Sequence, residues 1–219
     1  MKKTPFEFIT VNPTSGETRT PEFRSKFPLG LIPAMEDKSA SPPFALSEAS
    51  AIMIYLCEKH GWDDFYPNNI QRKAKIHEYI SHHNESTRMM TRKVIFPTMK
   101  WMFADNNGSS KVIGGAKHLS SNPNDIQNVK AIIRDIAKRF QHKFLNDNEE
   151  YIVGNSPTIA DLLAYPDISQ IPMIMGIKYS DWQELGPLQN WLGRMEKLPY
   201  HEDVNRTVLK IGKMYQSKL

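Results

Sequence analysis

The sequence predicts an α/β unit in about the first third of the chain and an all-α unit in the rest. Three observations carry this. Short β-branched or aromatic stretches, each closed by proline, glycine, asparagine or serine, lie before Glu48. A polar stretch with a proline, asparagines and aspartates, Trp62 to Asn69, then interrupts the pattern. Beyond it, apolar residues recur at helical spacing. The predicted division is 1–61, a linker over 62–69, and 70–219.

Each element has a local reason. Phe6-Glu7-Phe8-Ile9-Thr10-Val11 alternates and predicts a strand, ended by the turn residues Asn12 to Gly16. Thr20, Pro21 and Glu22 predict a helix start: a hydroxyl cap, a proline at the first position and an acid at the positive end of the dipole. Leu31 to Met35 and Phe44 to Leu46 read as two more short strands, on either side of a Ser/Pro-rich loop. A helix is expected from Ser47, with Ala49, Ile52, Met53 and Leu56 on its apolar face and Gly61 as its stop. Gln71 to Ala104 predicts one long helix, bent or broken at Pro97. A Gly/Ser/Asn-rich connection over Asp105–Ser121 separates it from a helix capped around Asn122 to Asp125, whose stripe is Ile126, Val129, Ile132, Ile133, Ile136, Phe140 and Phe144. Thr158 and Asp161 fit a capping box for a buried central helix from Ile159 to Tyr165. Two further helices are expected over 182–198 and from Val204 to about Gln216.

Composition bounds the function classes. The 219 residues are 40% hydrophobic and 24% charged, which suits a globular core and excludes a disordered chain. The net charge of +4 is concentrated near Arg72, Lys73, Lys75, Arg88, Arg92, Lys93 and Lys100. Such a face either attracts an anionic molecule or is simply solvated. It has no interleaved aromatic platform, so no nucleic-acid partner is expected. The single cysteine, Cys57, cannot build a disulfide framework and reads as a core residue. No apolar run approaches the roughly 20 residues that span a bilayer, and Met1 to Phe6 carries no apolar leader pattern. No membrane association and a cytoplasmic location are therefore expected.

Several stretches together resemble the cytosolic glutathione transferases. Pro28 to Asp37 is similar to that family's segment leading into its cis-proline strand, and Leu46 to Leu56 to its Glu-Ser helix start. Thr158-Ile159-Ala160-Asp161 resembles the box of its core helix. Glu78 to His83, Thr87-Arg88 and Phe96-Pro97 are similar to the theta class in particular. The resemblance implies a thioredoxin-like N-terminal domain followed by an all-helical domain. It also implies glutathione as co-substrate, an apolar electrophile as second substrate, and a homodimer. In the family, Ile32 before Pro33 would pair its backbone with the cysteinyl part of glutathione. Glu48 and the position of Ala49 would take the γ-glutamyl group, and Arg88 would stand near the peptide. Each has an ordinary reading as well. Pro33 fits an edge strand, Glu48 a dipole-complementing acid and Arg88 a solvated cation.

The chain departs from the family at several points. Ala49 stands where a serine is usual, Thr18 where relatives carry a glutathione-contacting histidine, and Leu31 where many have lysine. The Phe6–Val11 segment matches the family's second strand, so the first strand, with the hydroxyl that activates the thiol, is expected to be absent, and no catalytic residue is assigned. Ser15 and Ser25 do not match that position. Three readings follow: an incomplete version of a working transferase, a strand supplied by a partner or by rearranged pairing, or a non-catalytic scaffold of the same fold. His77-Glu78 begins like a zinc-protease helix, but Ser81 replaces the second histidine, so no metal is expected. His82 and His83 are expected beside the cleft or on the surface. Met89-Met90 and Met99 to Met102 fit either plain core or an adaptable apolar pocket.

Overall fold

A computed structural model describes residues 4–12, 15–97, 123–145 and 148–217. The chain divides into two compact units, Met1–Asn69 and Ile70–Leu219.

The sheet of the first unit has two antiparallel strands, β1 (Ala34–Asp37) and β2 (Phe44–Ser47), with Ala34 paired to Ser47 and Asp37 to Phe44. The expected strand over Phe6–Val11 does not form. β propensity becomes a strand only where a ladder takes up the backbone groups, and neither edge of β1–β2 pairs with this segment. Its apolar side chains face solvent, Phe6 at 84% and Phe8 at 81% exposure. The Asn12 amide instead donates to the Glu17 carboxylate at 2.8 Å. Thr20 caps α1 (Pro21–Lys26) by accepting from the Phe23 amide at 3.2 Å, with Pro21 in the first turn. β1 starts at Ala34 rather than Leu31, since Pro33 has no N–H to give a ladder. α2 (Ala49–His60) likewise starts after Ser47, which is held in β2. Gly61, at φ 62°, closes α2 in the left-handed conformation.

The second unit is helical. α3 (Ile70–His82) does not run on toward Pro97 as expected. It gives way to a 3₁₀ turn (His83–Glu85), then α4 (Arg88–Met90) and a π-helical turn (Thr91–Ile95). The break has a physical cause: Ser86 leaves the helical region at φ −114° and ψ −116°. His83 and Thr87 turn inward onto the buried Tyr79 hydroxyl. The remainder of that predicted helix, with Met99 to Met102, Lys100 and the 105–121 connection, lies outside the described residues. α5 (Pro123–Phe144) buries Ile133, Ile136 and Phe140, whereas Ile132 falls off the stripe into solvent. α6 (Ile159–Gln170) is longer than expected and carries Pro166 inside it. Its capping box forms, with the Thr158 amide donating to Asp161 Oδ2 at 2.8 Å. Asp161 Oδ1 also accepts from the Ile152 amide and the Trp191 indole, both at 2.9 Å. A second π-helical turn (Ile171–Met175) leads toward α7 (Gly186–Glu196) and α8 (His201–Gln216). The core is aromatic: Tyr79 meets Phe144 edge-on at 5.0 Å, and Phe140 meets Trp191 at 5.4 Å. Among the described residues no helix is long and apolar enough to cross a membrane.

Candidate functional site

The register of the small sheet gathers the N-terminal candidates. Ala34 pairs with Ser47, so the residues stepping outward from that rung are Pro33 and Ile32 on one side and Glu48 and Ala49 on the other. All four lie at one end of the sheet. The Ile32–Pro33 bond is cis. Ile32 precedes the ladder, so its amide and carbonyl are not committed to β1–β2 pairing, and its side chain is exposed.

Glu48 holds φ 76° and ψ 122° at the entrance to α2. A non-glycine residue at positive φ costs on the order of 1–3 kcal/mol and persists where its surroundings over-determine it. Here β2 fixes the preceding residue, and the Glu48 carbonyl accepts the first helical bond, from the Ile52 amide at 3.0 Å. The Glu48 side chain makes no capping bond. The first-turn amides of α2 therefore take no acceptor from the Glu48 side chain, and a helix N-terminus at this sheet end can receive a carboxylate.

A polar clip holds α2 to the far end of β1. The Tyr55 hydroxyl donates to Asp37 Oδ2 at 2.5 Å, and Lys59 pairs with the same oxygen and with Ser39 Oγ. The Lys59 ammonium, then the Tyr55 and Ser39 hydroxyls, hold the Asp37 carboxyl well below the usual carboxylate range. Asp37 in turn raises the Lys59 and Tyr55 pKa values. Thr18 is buried against Gly30, where an added Cβ would stand 2.9 Å from the Thr18 carbonyl, and Leu31 is exposed.

None of the hydroxyls proposed or rejected from the sequence is free for thiol chemistry. Ser15 Oγ bonds the Asn12 carbonyl and the Glu17 carboxylate at 3.0 and 2.9 Å, and Ser25 Oγ donates to the Glu22 carbonyl at 2.7 Å.

In the helical unit Arg88 is not a freely solvated cation. Its Nη1 donates to Asp167 Oδ1 at 3.3 Å, although its side chain is 41% exposed. Asp167 also accepts from the Thr91 hydroxyl, and His83 Nε2 lies 3.4 Å from its other oxygen. The second His83 nitrogen faces the Tyr79 and Thr87 hydroxyls at 3.2 and 3.1 Å. His83 is thus inside the fold rather than on the surface, which was one of the two places expected for it. Burial lowers its pKa, with Asp167 opposing and Arg88 adding to the shift. The spacing of Tyr79, His83 and Thr87 at successive fourth positions was a readable signal for this cluster. Asp167 gave none, since its partners lie far away in sequence. Among the described residues no group of three or more His, Cys, Asp or Glu could hold a metal ion.

The chain is similar to known proteins in sequence and in fold. Residues 1–59 match the family described as Glutathione S-transferase, N-terminal domain. Human glutathione S-transferase theta-2 is 28% identical over 193 residues, 88% of this chain and 70% of its own. Glutathione S-transferase T1 of Arabidopsis thaliana is 23% identical over 224 residues, 97% of this chain and 82% of its own. In fold, the crystal structure of human glutathione transferase theta-2 in complex with glutathione superposes with a TM-score of 0.72 at 24% identity, covering 98% of this chain and 81% of that one. Human glutathione S-transferase T1-1, in its apo form, gives 0.73 at 22% identity, covering 95% and 81%. The two units accordingly resemble a thioredoxin-like N-terminal domain and an all-helical C-terminal domain, and the chain is similar in sequence and in fold to the theta-class glutathione transferases.

Proposed function

We propose that this chain binds glutathione at the sheet end formed by Ile32, Pro33, Glu48 and Ala49 and conjugates it, through its sulfur, to apolar electrophiles. The observation that carries the reading is the convergence of three features on one rung. These are the backbone of Ile32, outside the β1–β2 ladder and beside the cis bond, the positive-φ Glu48, and the N-terminus of α2 that the Glu48 side chain leaves uncapped. The Ile32 amide and carbonyl suit the peptide backbone of the cysteinyl residue. The α2 amides suit the γ-glutamyl carboxylate, and Glu48 suits its ammonium group. In the transfer itself the glutathione thiolate attacks an electrophilic carbon. A carbon–sulfur bond forms, a carbon–halide or similar bond breaks, and the thiol proton goes to solvent or a base. A free thiol titrates near 8.5, so an activator raises the thiolate fraction at neutral pH; none of the residues assigned here has that role.

A second reading is a scaffold of the same fold, favoured by the exposure of Phe6, Phe8 and Ile9 on one short segment. Calorimetric titration of the folded chain with glutathione separates the two. Binding at millimolar affinity or tighter, followed by halide release from an alkyl or aryl halide, supports the transferase. No heat from a chain with a cooperative unfolding transition sinks it and leaves the scaffold.

A further inference from the structure

A groove of about 510 Å³ lies wholly within the second unit, and none of the residues proposed to bind glutathione lines it. One wall is a face of α7, where Pro187, Asn190 and Arg194 stand at spacings of three and four on one side of the helix. The other wall is the loop that ends at Asn155, and the buried Leu145 adds apolar surface. The loop is held independently of any ligand. The Tyr151 amide donates to the Gly154 carbonyl at 3.0 Å, the Glu150 amide to Asn155 Oδ1 at 3.1 Å, and Arg72 Nη2 to the Val153 carbonyl at 3.3 Å. A wall set in advance spares a ligand the cost of ordering it.

Two opposite charges line this groove without meeting. Arg194 gives Nη2 to the main-chain carbonyl of Glu150 and lays its guanidinium over the Tyr151 ring, 5.6 Å from the centroid. Its Nε is buried with no acceptor among the described residues. It is thus a half-buried cation with one neutral acceptor and no carboxylate partner among those residues, and an anion at its remaining donors would relieve it. The exposed Glu150 carboxylate likewise has no cation among the described residues. Glu149 differs, since its charge acts on Lys75. Asn155, with Oδ1 committed, has Nδ2 left to donate, and Asn190 has both a donor and an acceptor. A ligand of one charge would satisfy Arg194 or Glu150 and leave the other as it is, whereas a zwitterion satisfies both. We propose that this groove binds a short peptide with free termini. Its ammonium group meets Glu150 and its carboxylate meets Arg194. Its peptide group lies on the Asn155 and Asn190 amides, and an apolar side chain lies against Leu145 and Pro187. The volume falls within the roughly 300–1,000 Å³ usual for small-molecule sites.

The test is calorimetric titration of the full chain with alanyl-leucine, its N-acetyl form and its C-terminal amide. The parent binds alanyl-leucine at millimolar affinity or tighter, and blocking either terminus weakens binding about tenfold, as loss of one charge-assisted contact does. Glu150→Gln, at an exposed side chain with no partner to lose, weakens alanyl-leucine about tenfold and makes acetylation indifferent. Arg194→Gln, which can still donate to the Glu150 carbonyl, makes amidation indifferent in the same way. If R194Q does not fold, the amide against the parent carries that arm without a substitution. No uptake by a parent chain with a cooperative unfolding transition overturns the proposal. Equal affinities for the three peptides overturn it too, as does an acetylation loss as large in E150Q as in the parent. Uptake that is lost in Glu48→Ala and kept in E150Q places the dipeptide at the sheet end and also overturns it. Titration with glutathione is read separately, so its failure sinks the transferase reading and leaves this one standing.

Discussion

Pro33 and Glu48 flank the same rung of the sheet, Ala34 paired with Ser47, so a two-stranded ladder is enough to bring the peptide-binding candidates of the N-terminal unit together. Glu48 joins strand to helix at φ 76°, a conformation that glycine adopts more cheaply. Function and stability should therefore separate at this residue. Glu48→Gly raises the unfolding midpoint while weakening glutathione by about tenfold, ~1.4 kcal/mol. Glu48→Ala weakens it equally without the gain in stability, because alanine keeps the Cβ. Thermal unfolding and calorimetry on the same preparations check both. Equal affinities in all three proteins would remove Glu48 from the site.

Ala49 sits at the first position of α2, beside amides that the Glu48 side chain does not cap. A hydroxyl there can donate to a bound carboxylate, a contact worth about 1 kcal/mol. Ala49→Ser is expected to tighten glutathione about fivefold with little change in the unfolding midpoint. An unchanged dissociation constant would place the γ-glutamyl carboxylate elsewhere.

Gly212 packs α8 against the π-helical turn after α6: a Cβ built on it would stand 1.9 Å from the Met173 carbonyl oxygen and 2.9 Å from its carbon. Both obstacles are backbone, so neither can swing aside. Gln216, one turn further along α8, donates to the Ile174 carbonyl at 3.2 Å and depends on the same approach. Gly212→Ala therefore costs about 3 kcal/mol, the upper part of the range for overpacking, against the small gain alanine brings to an ordinary helix interior. Urea unfolding measures it, and a stabilised variant would show that the two backbones are not in contact.

What was legible in the sequence was local. Thr20 with Pro21, Gly61, and Thr158 with Asp161 each announce a helix boundary within four residues, and each boundary forms. What failed depends on partners outside the window. Phe6 to Val11 has the composition of a strand, but pairing decides the outcome, and no described strand pairs with it. The helical period from Gln71 to Pro97 reads as one rod because the inward turn of His83 and Thr87 leaves the apolar spacing intact. At the candidate site, the positions proposed to bind the peptide came from motif resemblance. The tether of Arg88 was invisible because its partner lies 79 residues away, in a helix whose neighbours are mostly apolar.

His83 gives the helical unit a pH dependence whose sign follows from burial. The buried ring is harder to protonate than the same ring in the unfolded chain, because desolvation outweighs the attraction of Asp167. Arg88 adds to that penalty, while the other groups at its ring, the Tyr79 and Thr87 hydroxyls, carry no charge. The unfolded state thus binds more protons than the native one wherever histidine titrates, and stability rises with pH through that window. The contribution is complete above the unfolded value near 6.5 and is lost as pH falls from there through the lower folded value. Urea midpoints at pH 7.5, 6.5 and 5.5 should therefore decline. His83→Gln, which can still hydrogen-bond but does not titrate, should lower the midpoint at pH 7.5 and flatten the decline. The same slope in the variant would mean that other groups set the acid sensitivity and that His83 is protonated as readily in the folded chain as in the unfolded one.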